Sequence, residues 1–169
     1  MLTTDEIRTE RFTMRVIHPE TDLFHSYLSW MRDENLSRFI QGVNKNTPLE
    51  NLHRYVAEKN ESPNSLLLGI FHLETSKHIG NLKLEPIVFG VDATVGILIG
   101  EEAWRGKGVG FEVMSHVIKY SFDEFKLNRI QLGVDLDNLP AVRLYEKLGF
   151  KPDKIVSGNS GMIMSLTKC

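Results

Sequence analysis

The chain predicts an α+β domain, and three observations carry that prediction. Strand-like alternation and helical periodicity come in blocks, in the order strand, two helices, three strands, helix, strand, helix and two strands. A βαβ repeat would alternate strictly, and this order does not. A glycine-rich cationic turn, Trp104-Arg105-Gly106-Lys107-Gly108-Val109-Gly110, joins a strand pattern to the longest helix pattern. No linker, repeat or low-complexity tract divides the 169 residues, so a single domain over 1–169 is expected.

The elements follow in order. Residues 10–17 alternate Phe12, Met14 and Val16 against Thr13 and Arg15, as a half-buried strand does. Pro19 opens a helical region to about Arg32, with Leu23, Phe24, Tyr27, Leu28 and Met31 on one face. Residues 36–47, rich in Asn, Gly and Gln, read as a loop. Thr47-Pro48-Leu49-Glu50 starts a second helix: Thr47 can cap, Pro48 suits the first helical position and Glu50 completes a capping box. Pro63-Asn64 ends that region, and strands are expected at 65–73, 79–84 and 93–100. Helical spacing returns at Val109, Val113, Met114, Val117, Ser121, Phe122 and Phe125. Residues 129–136 place Ile130, Leu132, Val134 and Leu136 on one face of a strand. Asn138 can cap a short helix over 140–148, and Gly149 closes it. Two strands near 154–156 and 162–167 finish the chain.

Composition narrows the function. Hydrophobic residues at 41% and charged residues at 25% suit a soluble globular domain. A net charge of −2 argues against a general nucleic-acid grip. No apolar run reaches membrane-spanning length, and Asp5 and Glu6 stand where a secretion signal would carry lysines. The single cysteine, Cys169, cannot form an internal disulfide, which suits a reducing compartment. The expectation is a cytoplasmic protein without nucleic-acid or membrane partners. Histidines at 18, 25, 53, 72, 78 and 116 show no close pair at ligand spacing, so no metal is expected.

Glycines that face backbone N–H groups outward at a helix start, flanked by Arg105 and Lys107, make a site for a phosphorylated ligand. Two familiar phosphate loops fail on spacing. A P-loop needs glycine where Glu101 stands and Ser or Thr where Gly108 stands. A dinucleotide fingerprint needs glycine at Phe111 or at Val113, depending on where it begins. What fits is Arg-x-x-Gly-x-Gly, Arg105 to Gly110, with Asn-x-x-Ala-x-x-Leu-Tyr-x-x-x-Gly-Phe, Asn138 to Phe150, after it. The pair resembles the two motifs of the GCN5-related N-acetyltransferases (GNAT), and the resemblance covers residues 65–150.

That resemblance implies a mixed, mostly antiparallel sheet of about six to seven strands flanked by about four helices, and acetyl-CoA as co-substrate. The backbone of Arg105, Gly106, Lys107, Gly108, Val109 and Gly110 would hold its pyrophosphate. Ile97, Leu98 and Ile99 would bond the pantetheine arm, and a bulge there would supply an N–H to the thioester carbonyl. Asn138 would contact pantetheine, and Tyr145 would stand beside the sulfur as general acid. A phenol with a pKa of about 10 stays protonated at neutrality and can protonate a thiolate. By periodicity alone Tyr145 is better read as a core aromatic, because Val142 and Leu148 share its face, and the resemblance reverses that reading.

Many relatives carry a glutamate base two residues before the strand glycine, and here Thr94 takes that place before Gly96. Glu101 is the first candidate in its stead and His78 the second, ahead of Glu85, Asp92, Glu102 and His72. Acceptor choice should come from about 24–60 and from 85–93. The run Ile79 to Ile87 with Gly96 to Gly100 resembles acetyltransferases of nucleotide-linked amino sugars, and slightly less closely those of ribosomal-protein N-termini. The acceptor is therefore a small-molecule or peptide amine, with the amino sugar first. A nucleotide sugar would call for a second cationic pocket near Arg32 or Arg38. With its usual base missing, the chain could instead be a non-catalytic acetyl-CoA sensor. Monomer and homodimer both fit the sequence.

Overall fold

Among the described residues, eight strands lie in one sheet. The structure is a computed structural model and describes residues 6–22, 24–33, 36, 48–156 and 161–168. The elements are β1 (Ile7–Arg8), β2 (Phe12–Val16), α1 (Phe24–Arg32), α2 (Leu49–Glu61), β3 (Leu66–His72), β4 (His78–Val88) and β5 (Asp92–Ile99). A 3-10 turn (Glu102–Trp104), α3 (Val109–Glu124), β6 (Arg129–Asp135), α4 (Leu139–Lys147), β7 (Lys151–Ile155) and β8 (Gly161–Thr167) follow. The strands are ordered β1-β2-β3-β4-β5-β6-β8-β7 across the sheet, and the mostly antiparallel α+β expectation holds, with one strand more than foreseen. The two-residue β1 is too short to show an alternating pattern.

One face of the sheet carries α3 and α4 over the larger core, with Phe12, Met14, Leu68, Ile70, Leu82, Val113, Met114, Ile130 and Leu132 in it. The other face carries α1 and α2, which bury Tyr27, Leu28, Trp30, Leu52 and Val56 with Ile17 and Leu67. The central strand β3 is sealed on both faces and so reads as one apolar run, Leu66 to Phe71.

Several boundaries differ for local reasons. The helix expected from Pro19 starts at Phe24, because the Asp22 carboxylate bonds the His18 N–H at 2.6 Å and the Arg15 guanidinium. Such a local bond holds a turn against a helix. Pro48 is the N-cap of α2 and not its first residue; Thr47, Leu23 and Arg38 lie outside the described residues. β4 runs on past its expected end to Val88 through a bulge between Leu84 and Ile87, where Pro86 can do without a ladder bond. Leu136 lies beyond β6 and is 40% exposed, so it does not join the face of Ile130 and Leu132. β7 begins earlier than its sequence suggests, since a wholly exposed edge strand shows no apolar alternation.

The feature that positions the site is the one parallel pairing among the described residues. β5 and β6 pair only at Asp92–Arg129, Ala93–Ile130 and Thr94–Gln131, whereas β5 stays paired to β4 as far as Ile99. Past Thr94 the two strands separate, and the sheet is split there.

Candidate active site

The edge of β5 along the split offers free peptide groups. Gly100 N–H bonds the Ile79 carbonyl at 3.0 Å, which fixes the alternation of the antiparallel ladder. Gly96 and Leu98 therefore direct their peptide groups to β4, and Ile97 and Ile99 direct theirs to the split. The pairing from Val95 to Ile99 is unbroken. The irregularity expected in this stretch falls at its end, where Gly100 and Glu101 both donate to the Ile79 carbonyl. Arg105 closes the strand: its Nε donates to the Ile99 carbonyl at 3.1 Å and its Nη2 to the Gly100 carbonyl at 2.6 Å.

The turn after β5 has the form a phosphate group needs. Gly106 and Gly108 have φ of +70° and +77°, left-handed values that glycine adopts without strain. A Cβ at Gly106 would meet nothing within 4 Å, so the turn faces open space. Gly108 caps α3, and the first helical bond is Glu112 N–H to the Gly108 carbonyl at 3.1 Å. The N–H groups of Val109, Gly110 and Phe111 precede it and have no intrahelical acceptor. With Lys107 exposed beside them, these donors at the positive end of a 16-residue helix suit an anion. A Cβ at Gly110 would lie 2.8 Å from Leu144 Cδ2, so this glycine lets α3 approach α4.

α4 brings the second motif to the same place. Asn138 caps it, its Oδ1 accepting from the Ala141 N–H at 3.4 Å. Tyr145 lies in the larger core with its ring 6.0 Å from that of Phe150, and burial pushes its phenol up to about 12. Gly149 ends the helix at φ +92°.

Residues 11–151 match the family model of the acetyltransferase (GNAT) domain. The chain belongs to the GNAT acetyltransferase family. It is 35% identical over 104 residues to a probable N-acetyltransferase, YjcK, of Bacillus subtilis, a match covering 60% of this chain and 57% of that one. It is 33% identical over 78 residues to an N-alpha-acetyltransferase of Saccharolobus solfataricus, covering 46% of each. The chain thus spans about half the length of these curated relatives. Among solved structures, a spermidine N-acetyltransferase from Vibrio cholerae, in complex with CoA and spermine, superimposes with a TM-score of 0.80 at 19% identity. That match covers 92% of this chain and 95% of the other, and shows a common fold. Acetyl-CoA is the co-substrate of the GNAT family.

On the α1/α2 face of this GNAT sheet, the floor beside the split is made of small and polar groups. Gly96 and Gly133 are exposed, and a Cβ at Gly96 would meet nothing within 4 Å. The base of the split is tied by Gln131 Nε2 to Thr94 Oγ1 at 3.2 Å. Lys83 stands opposite Gly96 in register and pairs with Glu85 at 3.1 Å. Glu85 also pairs with Lys59 of α2. Burial works to raise the Glu85 carboxyl, and the bonds from Lys59 and Lys83 outweigh it, holding it below its usual value.

Of the candidate bases, Glu85 lies at this floor, held by Lys59 and Lys83, and the others do not gather there. Glu101 pairs with Lys77 and accepts from Trp30 Nε1 at 3.3 Å, so each carboxylate oxygen has a partner. The Trp30 indole lies where a Cβ at Gly100 would be. His78 is sealed between Phe71, 4.7 Å away and stacked, and the Trp30 edge at 5.0 Å. Its Nε2 faces two acceptors, Gly80 O at 2.9 Å and Asn81 Oδ1 at 2.8 Å, and burial lowers its pKa. A neutral Nε2–H imidazole is the species that satisfies that pair. His72 bonds Thr75 at 2.9 Å, and Glu102 lies exposed in the 3-10 turn. Asp92 sits at the paired, opposite end of β5. Sequence reasoning missed Gln131, Lys83 and the pair Arg11–Glu112. All of them owe their positions to long-range pairing, which leaves no local pattern.

Proposed function

We propose that this chain is an acetyl-CoA-dependent N-acetyltransferase in which an acceptor primary amine attacks the thioester directly. The observation that supports it most is the β5–β6 split ending at the N–H-rich turn of Arg105 to Gly110. Acetyl-CoA supplies the activated acyl group. The turn binds its pyrophosphate through Gly106, Lys107, Gly108, Val109 and Gly110, and Arg105 fixes the strand end. Ile97 offers its N–H and carbonyl, and Ile99 its N–H, to the pantetheine and to the thioester oxygen, while the Ile99 carbonyl is taken by Arg105 and the groups of Leu98 are committed to β4. Asn138 has an amide Nδ2 left over from capping, available to the pantetheine. Tyr145, protonated at any physiological pH, gives its proton to the leaving sulfur. Glu101 acts in this reading through Trp30, holding the α1 layer on Gly100. The amine passes its proton to solvent at the Thr94–Gln131 floor.

For the acceptor we favour a nucleotide-linked amino sugar. Two ammonium groups, Lys83 and Lys59, share one carboxylate, Glu85, beside the open space over Gly96. A cationic surplus attracts an acceptor that carries phosphate and opposes a polyamine. A protein N-terminus is the second reading, favoured by the N-alpha-acetyltransferase among the relatives.

The test is acetyl-CoA-dependent thiol release with nucleotide-linked amino sugars, N-terminal peptides and polyamines offered separately. Turnover on the first panel is expected. Turnover on peptides alone would replace the acceptor and keep the reaction. Acetyl-CoA binding with no turnover on any panel would replace the enzyme with a sensor.

A further inference from the structure

The β1–β2 turn reaches across the sheet to the start of α3. Glu112, in the first turn of that helix, accepts from Thr9 Oγ1 at 2.5 Å, from the Arg11 N–H at 2.9 Å and from Arg11 Nε at 2.8 Å. Arg11 Nη2 lies 2.8 Å from Glu112 Oε2, the oxygen that also accepts from Nε, and donates to the Lys107 carbonyl at 3.1 Å. The Glu112 carboxylate is mostly covered, and its site would lift its pKa by burial. The bonds from Thr9 and Arg11 outweigh that and keep it ionised.

We propose that Arg11 is a positioning residue for the pyrophosphate turn, acting through the Lys107–Gly108 peptide. The inference rests on reading that turn as the cofactor's phosphate site. A trans peptide is planar, and its C=O and N–H point in opposite directions. Holding the Lys107 carbonyl toward Arg11 therefore aims the Gly108 N–H away from Arg11, to the outer side of the turn. A left-handed glycine on each side of Lys107 leaves that peptide free to rotate, and a fixed donor is what prevents it. Nη2 is 3.8 Å from where a Gly108 Cβ would stand, so the guanidinium lies directly against the turn. The same group cancels the Glu112 charge, which would otherwise repel a phosphate arriving at this helix end. One side chain thus orients a donor and removes a competing anion.

Calorimetry of acetyl-CoA binding tests this without knowledge of the acceptor. Arg11→Ala should raise the Kd for acetyl-CoA about tenfold or more, the effect of losing a charge-assisted bond. Arg11→Lys, with one ammonium to serve two acceptors, should fall between the two. The discriminating ligand is acetyl-pantetheine, which has no phosphate. Its Kd by ligand-observed NMR should be the same for wild type and both variants. Should Arg11→Ala fold poorly, the Arg11→Lys pair of measurements carries the same contrast. Given a wild type that binds acetyl-CoA, an unchanged Kd in the Arg11 variants, or an equal loss for both ligands, would overturn the inference. A wild type that binds no acetyl-CoA would instead overturn the phosphate reading of the turn.

Discussion

On the cofactor side of the split, the proposed contacts come from backbone: the turn of Gly106 to Gly110 and the edge of β5 at Ile97 and the Ile99 N–H, whereas the Arg105 N–H is taken by the Glu102 carbonyl. On the acceptor side they come from side chains on separate elements: Lys83 of β4, Lys59 of α2, and the Thr94–Gln131 pair across β5 and β6. Backbone donors need glycine and a helix start, which are local and fixed in type. Side-chain floors need only some residue of suitable charge at a place that pairing decides. The first kind of site is uniform across chemistries, whereas the second is individual to the acceptor. The two sides should therefore fail separately when mutated.

The largest effect is expected at the proposed general acid. Tyr145→Phe should lower turnover by ~10²-fold, the usual scale for loss of a general acid, with acetyl-CoA affinity nearly unchanged. Because burial pushes the phenol up to about 12, its ionisation should add no falling limb to the rate profile below pH 10 or so. Unchanged turnover in the variant would return Tyr145 to the core role its packing against Phe150 also supports.

Gly108→Asp comes next. A non-glycine residue at φ +77° is strained, and the carboxylate would face the phosphates, so acetyl-CoA affinity should drop roughly thirtyfold. The acceptor KM should not move. Lys83→Ala is its mirror image: the acceptor KM should rise about fivefold while the acetyl-CoA Kd stays put, an effect kept small by partial exposure. If Lys83→Ala weakened acetyl-CoA and spared the acceptor, the division into two sides would be wrong.

The same division explains what could be read from sequence. Gly106, Gly108 and Gly110, the Asn138 cap and Gly149 are local devices, and each stands where its spacing predicts a turn or helix end. The strands from β2 to β6 were visible because alternation reflects burial on one face or both. The base could not be found this way. His78 has the right chemistry in sequence, yet the bulge between Ile70 and Phe71 in the β3–β4 pairing and the cover of Trp30 enclose it. Glu101 lies beside the motif, yet Lys77, 24 positions earlier, pairs with it. Arg11 and Glu112 are 101 positions apart, and their meeting depends on the sheet being folded. The proposed acceptor side has no spacing rule: Glu85 and the segment holding Lys59 could be singled out in sequence, but their meeting with each other and with Lys83 depends on the fold.

The smallest effect separates folding from catalysis at the edge of the cofactor side. Glu112→Gln keeps the shape but turns an NH2 toward Arg11, so the charge-assisted bonds are lost, at a cost of about 1 kcal/mol near neutrality. The sign with pH follows from the depressed pKa of Glu112 in the folded chain. Its contribution is present above the unfolded carboxyl value and is lost as pH falls through the lower folded one. The stability gap between wild type and Glu112→Gln should therefore be constant from neutrality to about pH 5 and close only below the usual carboxylate range. Urea unfolding at a series of pH values measures it. A gap that persisted in acid would mean that Glu112 contributes through packing. A gap that widened in acid would reverse the assignment of its partners, because only a group protonated in the folded state behaves that way.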